Sequence, residues 1–549
     1  MTARSYRSGQ SVLIVAFSMV AFIGMLGLAI DMGYLRYMQR RLQTAADNAA
    51  IAGALQIPFA ATGGTSVTTA AVAAATEDNF TNGQNGVAVN VCAPPNTSGA
   101  YGACPSTPFA GTGSYPLCTT CAEVTVTDTQ VPTFFAQNFG APAKLTLSAT
   151  AVAEGGLNCI YALDTSTGAG EAIDLILSIV DSTCGVVDNS NLDGLGFLCA
   201  PSIDLKGSDE LVGGTCSPPF NPARPVKMTT AASDPLANLA APSVSNPPAV
   251  CPSGGSTGSF TVPSDGYTVT PTPTYCGGTI ITGKTGITVT PGNYWGSPAF
   301  TISNSNVTFQ AGTYNIISRT AGIPGIQMAS TGFNTNQISF GAGTYTIVGG
   351  VSDAALFGSA VNWNNTAGTA AMFIIDGGGL TLVGNQGASG NQGGSVGQTT
   401  GGVTFYNTGT AATGLPTTYG TIVSYFDYSS GFCGSRCQLS APTSGPYTGI
   451  LFFNDRSNTA TRSCGLAGTV GACFGADFSF VGEISHAGAY YFANNAVGFS
   501  FDFGAGAPYT ILIAKDITWI LSAQFTFNDH YETLPNGSPL TQGTAILVQ

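Results

Sequence analysis

The chain has 549 residues, of which 44% are hydrophobic and only 8% are charged, and its formal net charge is −13 at pH 7. So few basic residues argue against a nucleic-acid partner, because nucleic-acid-binding surfaces concentrate lysine and arginine. The hydrophobic content, with 73 glycines, 31 phenylalanines and 20 tyrosines, argues against wholesale disorder and is typical of an exported, β-rich protein with many turns.

The first predicted element is a long helix that begins inside a membrane span. Residues 11–30 read SVLIVAFSMVAFIGMLGLAI, about the 20 apolar or small residues that cross a bilayer as a helix. The run exceeds a signal-peptide core and no A-x-A-type cleavage site follows it closely, so we predict a retained anchor. Arg40–Leu55 (RRLQTAADNAAIAGAL) is rich in helix formers, and no proline occurs before Pro58. The helix and its extension beyond the membrane are therefore predicted to occupy residues 1–57.

The segment SGQSVLIVAFSMVAFIGMLGLAIDMGYLRYMQRRLQTAADNAAIAGAL resembles the N-terminal segment of the TadG-like family of Flp (tight adherence) pilus assembly proteins. The matching features are Gly9, Asp31 with Gly33 at the exit of the span, and Arg40–Leu55. The resemblance implies a bacterial inner-membrane protein whose N-terminal helix meets the Tad/Flp pilus machinery or pilin-like subunits. It does not extend to prepilin-type processing, because Ile14 stands where true pilins carry a glutamate five residues after the processed glycine.

Within this helix, positions spaced alternately three and four residues apart form a seam that runs from the span into the aqueous part. The seam consists of Ile14, Phe17, Ala21, Gly24, Leu28, Asp31, Leu35, Met38, Leu42, Ala45, Ala49 and Ala52. The small residues Ala45, Ala49 and Gly53 allow close approach of another helix, so one hypothesis is a partner helix along this face. The alternative is that the helix packs on its own domain.

Residues 58–155 are predicted to form a pilin-like α+β domain. TSVTTAAVAAATEDNF (Thr65–Phe80) has helical character, and PTFFAQNFG (Pro132–Gly140) is predicted to be a short helix between two strands. Alternating apolar and polar residues predict strands at Val87–Val91, Ala122–Val131 and Leu145–Glu154.

Residues 156–549 are predicted to form an exported, disulfide-containing, β-helix-like domain. Tyrosine recurs at intervals of 20 and 31 residues in PGNYWG (Pro291–Gly296), AGTYNI (Ala311–Ile316) and AGTYTI (Ala342–Ile347). Such a period favours a parallel β-helix, in which each turn buries its face on the next, with a β-sandwich as the alternative. The fold class predicted for the whole chain is therefore mainly β with an α+β N-terminal part and a single transmembrane helix.

Other segments of this region carry separate predictions. The proline-rich stretch Ser217–Pro252 is predicted to be a loop that wraps a surface or joins layers. NCIYALD (Asn158–Asp164), APTSGPYTGILFFNDRS (Ala441–Ser457) and the closing GTAILVQ resemble the long exported region attached to many TadG-like proteins.

The 14 cysteines are predicted to form disulfides in an oxidising compartment. Neighbouring positions suggest the pairs Cys159–Cys184, Cys199–Cys216, Cys251–Cys276 and Cys464–Cys473. The CTTC motif (Cys118–Cys121) has neither the second cysteine pair of a zinc ribbon nor a βαβ context.

The orientation of the anchor is predicted from the cysteines and the translocated length. Arg4 and Arg7 precede the span and Arg36, Arg40 and Arg41 follow it, so a bare count of positive residues favours the opposite orientation. Long domains translocate largely regardless of such charges, and the cysteine-rich body belongs outside the cytoplasm. We therefore predict a cytoplasmic N-terminus and a periplasmic or extracellular body.

Few residues are candidates for metal binding or catalysis. Asp164 and Ser166 fit a cation-binding Asp-x-Ser-x-Ser motif of von Willebrand A-type adhesion domains, but Gly168 replaces its last serine. Glycan-cleaving enzymes need clustered carboxylates. Between Thr257 and Ser430 the acids are Asp265, Asp353, Asp376 and Asp427, with no close pair in sequence; the two histidines are His486 and His530. No catalytic, cofactor-binding or metal-binding residue is predicted, and no cofactor.

These observations predict a non-enzymatic envelope protein of Tad/Flp pilus assembly or surface adhesion. Its predicted partners are the inner membrane, the pilus machinery or pilin-like subunits and, as a further possibility, a surface glycan; nucleic acid is excluded. The alternative is a membrane-anchored β-helix protein that binds or acts on carbohydrate.

Overall fold

The computed structural model describes residues 8–56, 65–92, 98–99, 102–103, 121–156, 158–166, 172–200, 203–207, 226–227, 231–244, 250–329, 336–353, 359–383, 396–398, 401–408, 422–425, 439–458, 476–484, 486–505, 509–521, 525–527, 539–540 and 544–547. The chain divides into two compact units, Met1–Leu157 with Gln542–Gln549 and Asn158–Thr541. Each unit is described separately below.

The first unit contains two helices, α1 (Ser8–Ala54) and α2 (Thr65–Glu77), and a four-stranded antiparallel sheet. The sheet order is β1-β4-β5-β34, with β1 at Val87–Cys92, β4 at Cys121–Pro132, β5 at Lys144–Gly156 and β34 at Thr544–Leu547. Two short strands, β2 (Ser98–Gly99) and β3 (Gly102–Ala103), pair with each other. A 3₁₀ helix, Ala136–Phe139, lies between β4 and β5. The predicted helices and strands of this region are confirmed.

The core of the first unit is built from small side chains. Buried residues of the second half of α1 are Met38, Leu42, Ala45, Ala46, Ala49, Ala50 and Ala54, and they pack with Val67, Ala71 and Ala75 of α2 and with valines and alanines of β1, β4 and β5. A Cβ atom added at Gly53 would lie 3.3 Å from the Cβ atom of Ala71. Alanine and glycine therefore permit the close approach of α1 to α2.

In the second unit, every regular element that the structure describes is a strand. Its first strands are β6 (Asn158–Ala162), β7 (Ile173–Ser182), β8 (Gly185–Asp188), β9 (Leu192–Cys199), β10 (Ile203–Leu205), β11 (Val226–Lys227), β12 (Phe260–Thr261), β13 (Thr268–Val269), β14 (Thr279–Thr282), β15 (Ile287–Val289), β16 (Gly292–Gly296), β17 (Phe300–Ser303), β18 (Asn306–Phe309), β19 (Gly312–Ser318) and β20 (Ile326–Ala329). The remaining strands are β21 (Gln337–Phe340), β22 (Gly343–Asp353), β23 (Ala360–Asn364), β24 (Ala371–Val383), β25 (Val396–Gln398), β26 (Val403–Asn407), β27 (Ile422–Tyr425), β28 (Leu439–Ser440), β29 (Ile450–Asn454), β30 (Ala476–Ile484), β31 (His486–Ala505), β32 (Thr510–Ile520) and β33 (Phe525–Phe527).

These strands form a 22-stranded sheet and a six-stranded sheet, and the pairings of their described residues are parallel. The smaller sheet has the order β13-β15-β18-β21-β23-β25. In the larger sheet, Ile281 of β14 lies beside Ile302 of β17, which lies beside Met328 of β20. The mainly β fold class with a long N-terminal helix is thus confirmed, and the β-helix remains an interpretation of these pairings.

The recurring tyrosines lie in a row of stacked aromatic rings inside the second unit. The ring centroids of Tyr314 and Tyr345 are 4.7 Å apart, and Tyr345 lies 4.7 Å from Phe373. The Tyr314 hydroxyl donates to the Gln310 carbonyl at 2.8 Å, and the Tyr345 hydroxyl donates to the Gly341 carbonyl at 2.8 Å. Each hydroxyl thus satisfies a carbonyl four residues earlier, which gives the tyrosine period a structural basis.

The first strand of the second unit lies beside one of its last. Ile160 of β6 pairs with Leu512 of β32, and Ile173 of β7 pairs with Ile517 of the same strand. Strands β8 to β11 then continue the ladder from β6 and β7. The chain returns from β11 towards β12 through a segment that includes residues 231–244.

The return segment is held on the second unit by polar side chains. Asn189 exchanges two hydrogen bonds with the backbone of Ala232, at 2.7 and 2.9 Å. Arg456 donates to the carbonyls of Leu236 and Leu239, and its guanidinium group lies over the Tyr491 ring, 5.1 Å from the centroid. The prediction that the proline-rich stretch wraps a surface is confirmed for these described residues.

Two predicted disulfides are present in the second unit. Cys159 pairs with Cys184 and Cys251 pairs with Cys276, with Cα–Cα distances of 5.7 and 5.9 Å. Both distances lie in the ordinary range for disulfides. The predicted pairs Cys199–Cys216 and Cys464–Cys473, and the CTTC motif, include positions outside the described residues.

Candidate functional site

The candidate site is the membrane helix α1 and the point where it meets its own sheet domain. Between Val12 and Met32 the large apolar side chains are exposed: Val12, Leu13, Ile14, Val15, Phe17, Met19, Val20, Phe22, Ile23, Met25, Leu26, Leu28, Ile30 and Met32. Within the described part of the chain, α1 alone is long and apolar enough to cross a membrane. Exposed apolar residues all around a helix of this length are what a lipid-embedded span presents.

Asp31 is the buried polar residue at the end of this apolar stretch. Its carboxylate accepts hydrogen bonds from the backbone N–H groups of Phe134, Phe135 and Ala136, at 2.9, 2.9 and 2.6 Å. These N–H groups precede or begin the 3₁₀ helix, where the backbone has no intrahelical partner for them. A carboxylate that accepts several backbone N–H groups is stabilised in its charged form. Asp31 therefore ties α1 to the turn between β4 and β5.

Two glycines of α1 make room for this turn. A Cβ atom added at Gly27 would lie 2.7 Å from Cγ of Phe135, which is closer than real Cβ atoms approach. A Cβ atom added at Gly24 would lie 3.4 Å from Cζ of Phe139. Gly27 is therefore required for the Phe135 ring to lie directly on the helix backbone.

The aromatic rings of the turn lie against α1 but remain partly exposed. Phe134 packs edge-on against Tyr34, with ring centroids 5.3 Å apart. The exposed fractions of Phe134, Phe135 and Phe139 are 47%, 39% and 68%. We call residues 132–143, which carry these three rings between β4 and β5, the aromatic turn.

Residues 9–56 match the model of the Tad family, described as Flp pilus-assembly TadE/G-like. The chain carries a TadE/G-like domain. This match covers α1 almost from end to end, so the resemblance predicted from the sequence is confirmed for the N-terminal helix, and it supports a pilus-related membrane protein with an apolar anchor helix. No curated protein and no solved structure matches the chain.

The hypothesis of a partner helix on the alanine face of the TadE/G-like helix is wrong. Ala45 and Ala49 are fully buried, and α2 and the antiparallel sheet cover this face. The alternative, that the helix packs on its own domain, is correct for this half. The surroundings of the seam change at Gly24. Phe139 lies against Gly24, whereas Ile14 and Phe17, which are nearer the N-terminus of the helix, are exposed.

The role of the aromatic turn, and of the two glycines beneath it, was not predicted from the sequence. Pro132–Gly140 was predicted only as a short helix, and Asp31 was predicted only to lie at the exit of the span. The available signal was the coincidence of an uncharged stretch bearing three phenylalanines with glycines at positions 24 and 27. The sequence does not link the helix to the turn, because the hydrogen bonds between Asp31 and the turn join residues 103 to 105 positions apart.

The candidate acids of the second unit are bound in local contacts. Asp164 accepts a hydrogen bond from the Ser166 N–H at 2.9 Å and pairs with Lys515 at 3.1 Å. Burial opposes ionisation of Asp164, but the hydrogen bonds from Ser166 and Lys515 prevail and lower its pKa. Asp265 accepts from the Thr285 N–H at 2.8 Å, which lowers its pKa.

The two other described acids of the central segment, and one histidine, are buried. Asp353 accepts from the N–H of Ser359 at 2.7 Å, and Asp376 accepts from the Thr408 hydroxyl at 3.2 Å. His486 Nδ1 lies 2.6 Å from the Tyr490 hydroxyl. In the part of the chain that the structure describes, no three His, Cys, Asp or Glu side chains gather closely enough to hold a metal ion. Gly168, Asp427 and His530 lie outside the described residues.

Asp188 is a buried acid with a strongly raised pKa that was not predicted from the sequence. Asp188, at the end of β8, is fully buried, and its Oδ1 atom accepts from the Ser190 N–H at 2.8 Å. Burial raises its pKa to about 7, and the charge of Asp516 adds to the rise. Asp516 itself has a pKa raised to about 6 by burial, against the opposing effect of Lys515. These shifts make the stability of this unit sensitive to pH.

Proposed function

We propose that this chain is a structural component of Flp pilus assembly, held in the inner membrane by the TadE/G-like helix and carrying a large β body on the exported side. The observation that supports this best is the match over residues 9–56, which coincides with the one helix of the described chain suited to span a membrane. The body contributes a folded surface on the exported side of the membrane.

The proposed orientation has a cytoplasmic N-terminus and an exported body. Disulfides form and persist in oxidising compartments such as the periplasm. The pairs Cys159–Cys184 and Cys251–Cys276 support an exported second unit for this reason. An export-dependent reporter fused after Gln549 should be active, and activity confined to a cytoplasmic reporter would contradict the orientation.

The proposed role is non-catalytic. Asp353 and Asp376 accept hydrogen bonds from Ser359 and Thr408. Asp164 and Asp516, two acids that lie close together, both pair with the ammonium group of Lys515. Hydrolysis or lyase chemistry on glycans needs two carboxylates, or a carboxylate and a base, around one substrate atom. We therefore propose that the second unit acts through its surface.

The proposed contact with the pilus machinery uses the membrane half of the helix. The alanine face above Asp31 is covered by the chain's own domain, whereas Ile14, Phe17 and Ala21 form an exposed continuation of the seam. In a bilayer, helices associate by packing of such faces. A pilin-like subunit or platform helix is the kind of partner that this face fits.

Photo-crosslinking inside the native membrane tests this contact. Phe17 and Met19 are exposed to similar extents, 70% and 65%, but lie about 200° apart around the helix. A photoreactive residue at Phe17 should give a discrete adduct with a pilus-assembly protein, whereas one at Met19 should react mainly with lipid. Identical adduct patterns at the two positions would contradict a specific helix face.

A further inference from the structure

The aromatic turn lies at the level of the lipid-facing part of α1. Asp31 contacts the start of the turn, and Gly24 contacts Phe139. Seven residues of helix separate these two contacts, which corresponds to about 10 Å along the helix axis. The side chains that surround α1 at this level, including Phe22 and Ile23, are apolar and exposed.

The length of the apolar stretch places this level inside the hydrocarbon. A span needs about 20 residues to cross roughly 30 Å of acyl chain. The exposed apolar side chains run from Val12 to Met32, so a bilayer that covers them reaches close to Asp31. Phe139 then lies in the acyl-chain region, because it is packed on the helix about 10 Å nearer the bilayer centre.

The composition and bonding of the aromatic turn suit a lipid environment. Residues 132–143 read PTFFAQNFGAPA and contain no charged side chain. Backbone N–H groups in lipid must be satisfied within the protein. In the turn, hydrogen bonds are donated by the N–H groups of Thr133, Phe134, Phe135, Ala136, Asn138, Gly140 and Ala141. Asp31 accepts the three of these that the 3₁₀ helix leaves without a partner.

From this geometry we propose that the aromatic turn is a second membrane contact, inserted in the leaflet on the side of the body next to the TadE/G-like helix. The ligand is the acyl-chain region of the lipid, and Phe134, Phe135 and Phe139 are the side chains that meet it. The proposal rests on α1 being a membrane anchor. A second inserted element beside the span limits the tilt and rotation of α1, and so it fixes the orientation of the first unit against the bilayer.

Lipid-depth fluorescence on the full-length protein in phosphatidylcholine vesicles tests this contact. Three single variants report from different levels: Phe139→Trp from the turn, Met19→Trp from the middle of the span and Tyr37→Trp from α1 about 9 Å beyond Asp31. The native tryptophans, Trp295, Trp363 and Trp519, are buried in the second unit and give a constant background. Quenching is measured with lipids brominated in the acyl chains and corrected with the unsubstituted protein.

Phe139→Trp should be quenched about fivefold more than Tyr37→Trp, and comparably to Met19→Trp. Quenching of Met19→Trp without quenching of Phe139→Trp would overturn the proposed turn insertion and leave the anchor intact. Absence of quenching at Met19→Trp would overturn the anchor and the insertion together. In cells, a photoreactive residue at Phe139 should label lipid, and a discrete protein adduct there would mean that a protein partner, not lipid, covers the turn.

Discussion

Replacing Asp31 with asparagine keeps the size of the side chain but removes the negative charge that three backbone N–H groups share. The carboxylate accepts from Phe134, Phe135 and Ala136 through both of its oxygens. Asparagine presents one acceptor oxygen, and its amide nitrogen would face N–H groups that it cannot bond. We therefore expect Asp31→Asn to release the aromatic turn from α1 while the rest of the first unit stays folded.

The size of this effect follows from the bonds that are lost. Phe135 and Ala136 donate to one oxygen and Phe134 donates to the other, so asparagine loses one or two charge-assisted hydrogen bonds. Each such loss at a buried site corresponds to about a tenfold or larger change in an equilibrium constant. Opening of the turn should accordingly become about 10-fold to about 100-fold more frequent.

Hydrogen exchange of the full-length protein in lipid nanodiscs measures that opening directly, at the amides of residues 134–136. Asp47→Asn is the matched control, because Asp47 lies on the same helix and accepts a hydrogen bond from Gln43, not from the turn. Exchange should accelerate in Asp31→Asn and stay unchanged in Asp47→Asn. Equal exchange of these amides in both variants would refute the role of Asp31 as the tie between the helix and the turn.

Three further substitutions test the packing and the electrostatics. Gly27→Ala should displace the Phe135 ring and accelerate hydrogen exchange at the amides of residues 134–136. Gly33→Ala should not, because nothing lies within 4 Å of the added Cβ atom. Ala49→Leu should destabilise the first unit by about 1–3 kcal/mol in thermal unfolding, because the site is fully buried, and Gln39→Leu on the exposed side should have little effect. Between about pH 4 and 7 the folded state retains a proton on Asp188 that the unfolded chain has released, so the free energy of unfolding should fall as pH rises. Asp188→Asn should flatten that pH dependence and stabilise the protein at pH 8 by up to about 4 kcal/mol. An unchanged slope in this variant would show that Asp188 does not carry the effect.

Local patterns were sufficient to predict the elements of the first unit. Alternation of apolar and polar residues predicted strands at Ala122–Val131 and Leu145–Glu154, and the structure has them within β4 and β5. Alanine-rich periodicity predicted α2. These signals succeed because side chains that alternate, or recur every three or four residues, must place one face of a strand or helix in the core.

Non-local contacts were not predictable in the same way. The closing segment with β34 was assigned to the long exported region by resemblance, but β34 pairs with β5 in the first unit, with Ile546 opposite Glu154. Similarly, nothing in the local pattern of Asn158–Ala162 indicates that it lies beside Thr510–Ile520. One sequence specifies which residues favour strands, but many partners satisfy the same alternation.

The seam illustrates why a correct pattern gave a wrong partner. The spacing of Ala45, Ala49 and Gly53 identified a face suited to close packing, and that face is indeed packed. Small residues favour close approach to any neighbour, whether it belongs to another chain or to the same one. Only the position of α2 and of the sheet decides between these outcomes.

The central claim, that the TadE/G-like helix has a specific role in pilus assembly beyond anchoring, is tested most directly by exchanging that helix. Only its exposed membrane part, residues 12–23, would be replaced in the native cell by an unrelated apolar helical sequence of equal length, so that Asp31 and the buried core residues of α1 are kept, with export and membrane association of the body confirmed by fractionation. The account predicts that surface Flp pili are lost although the body is exported in normal amounts. Normal piliation with the unrelated helix would contradict it.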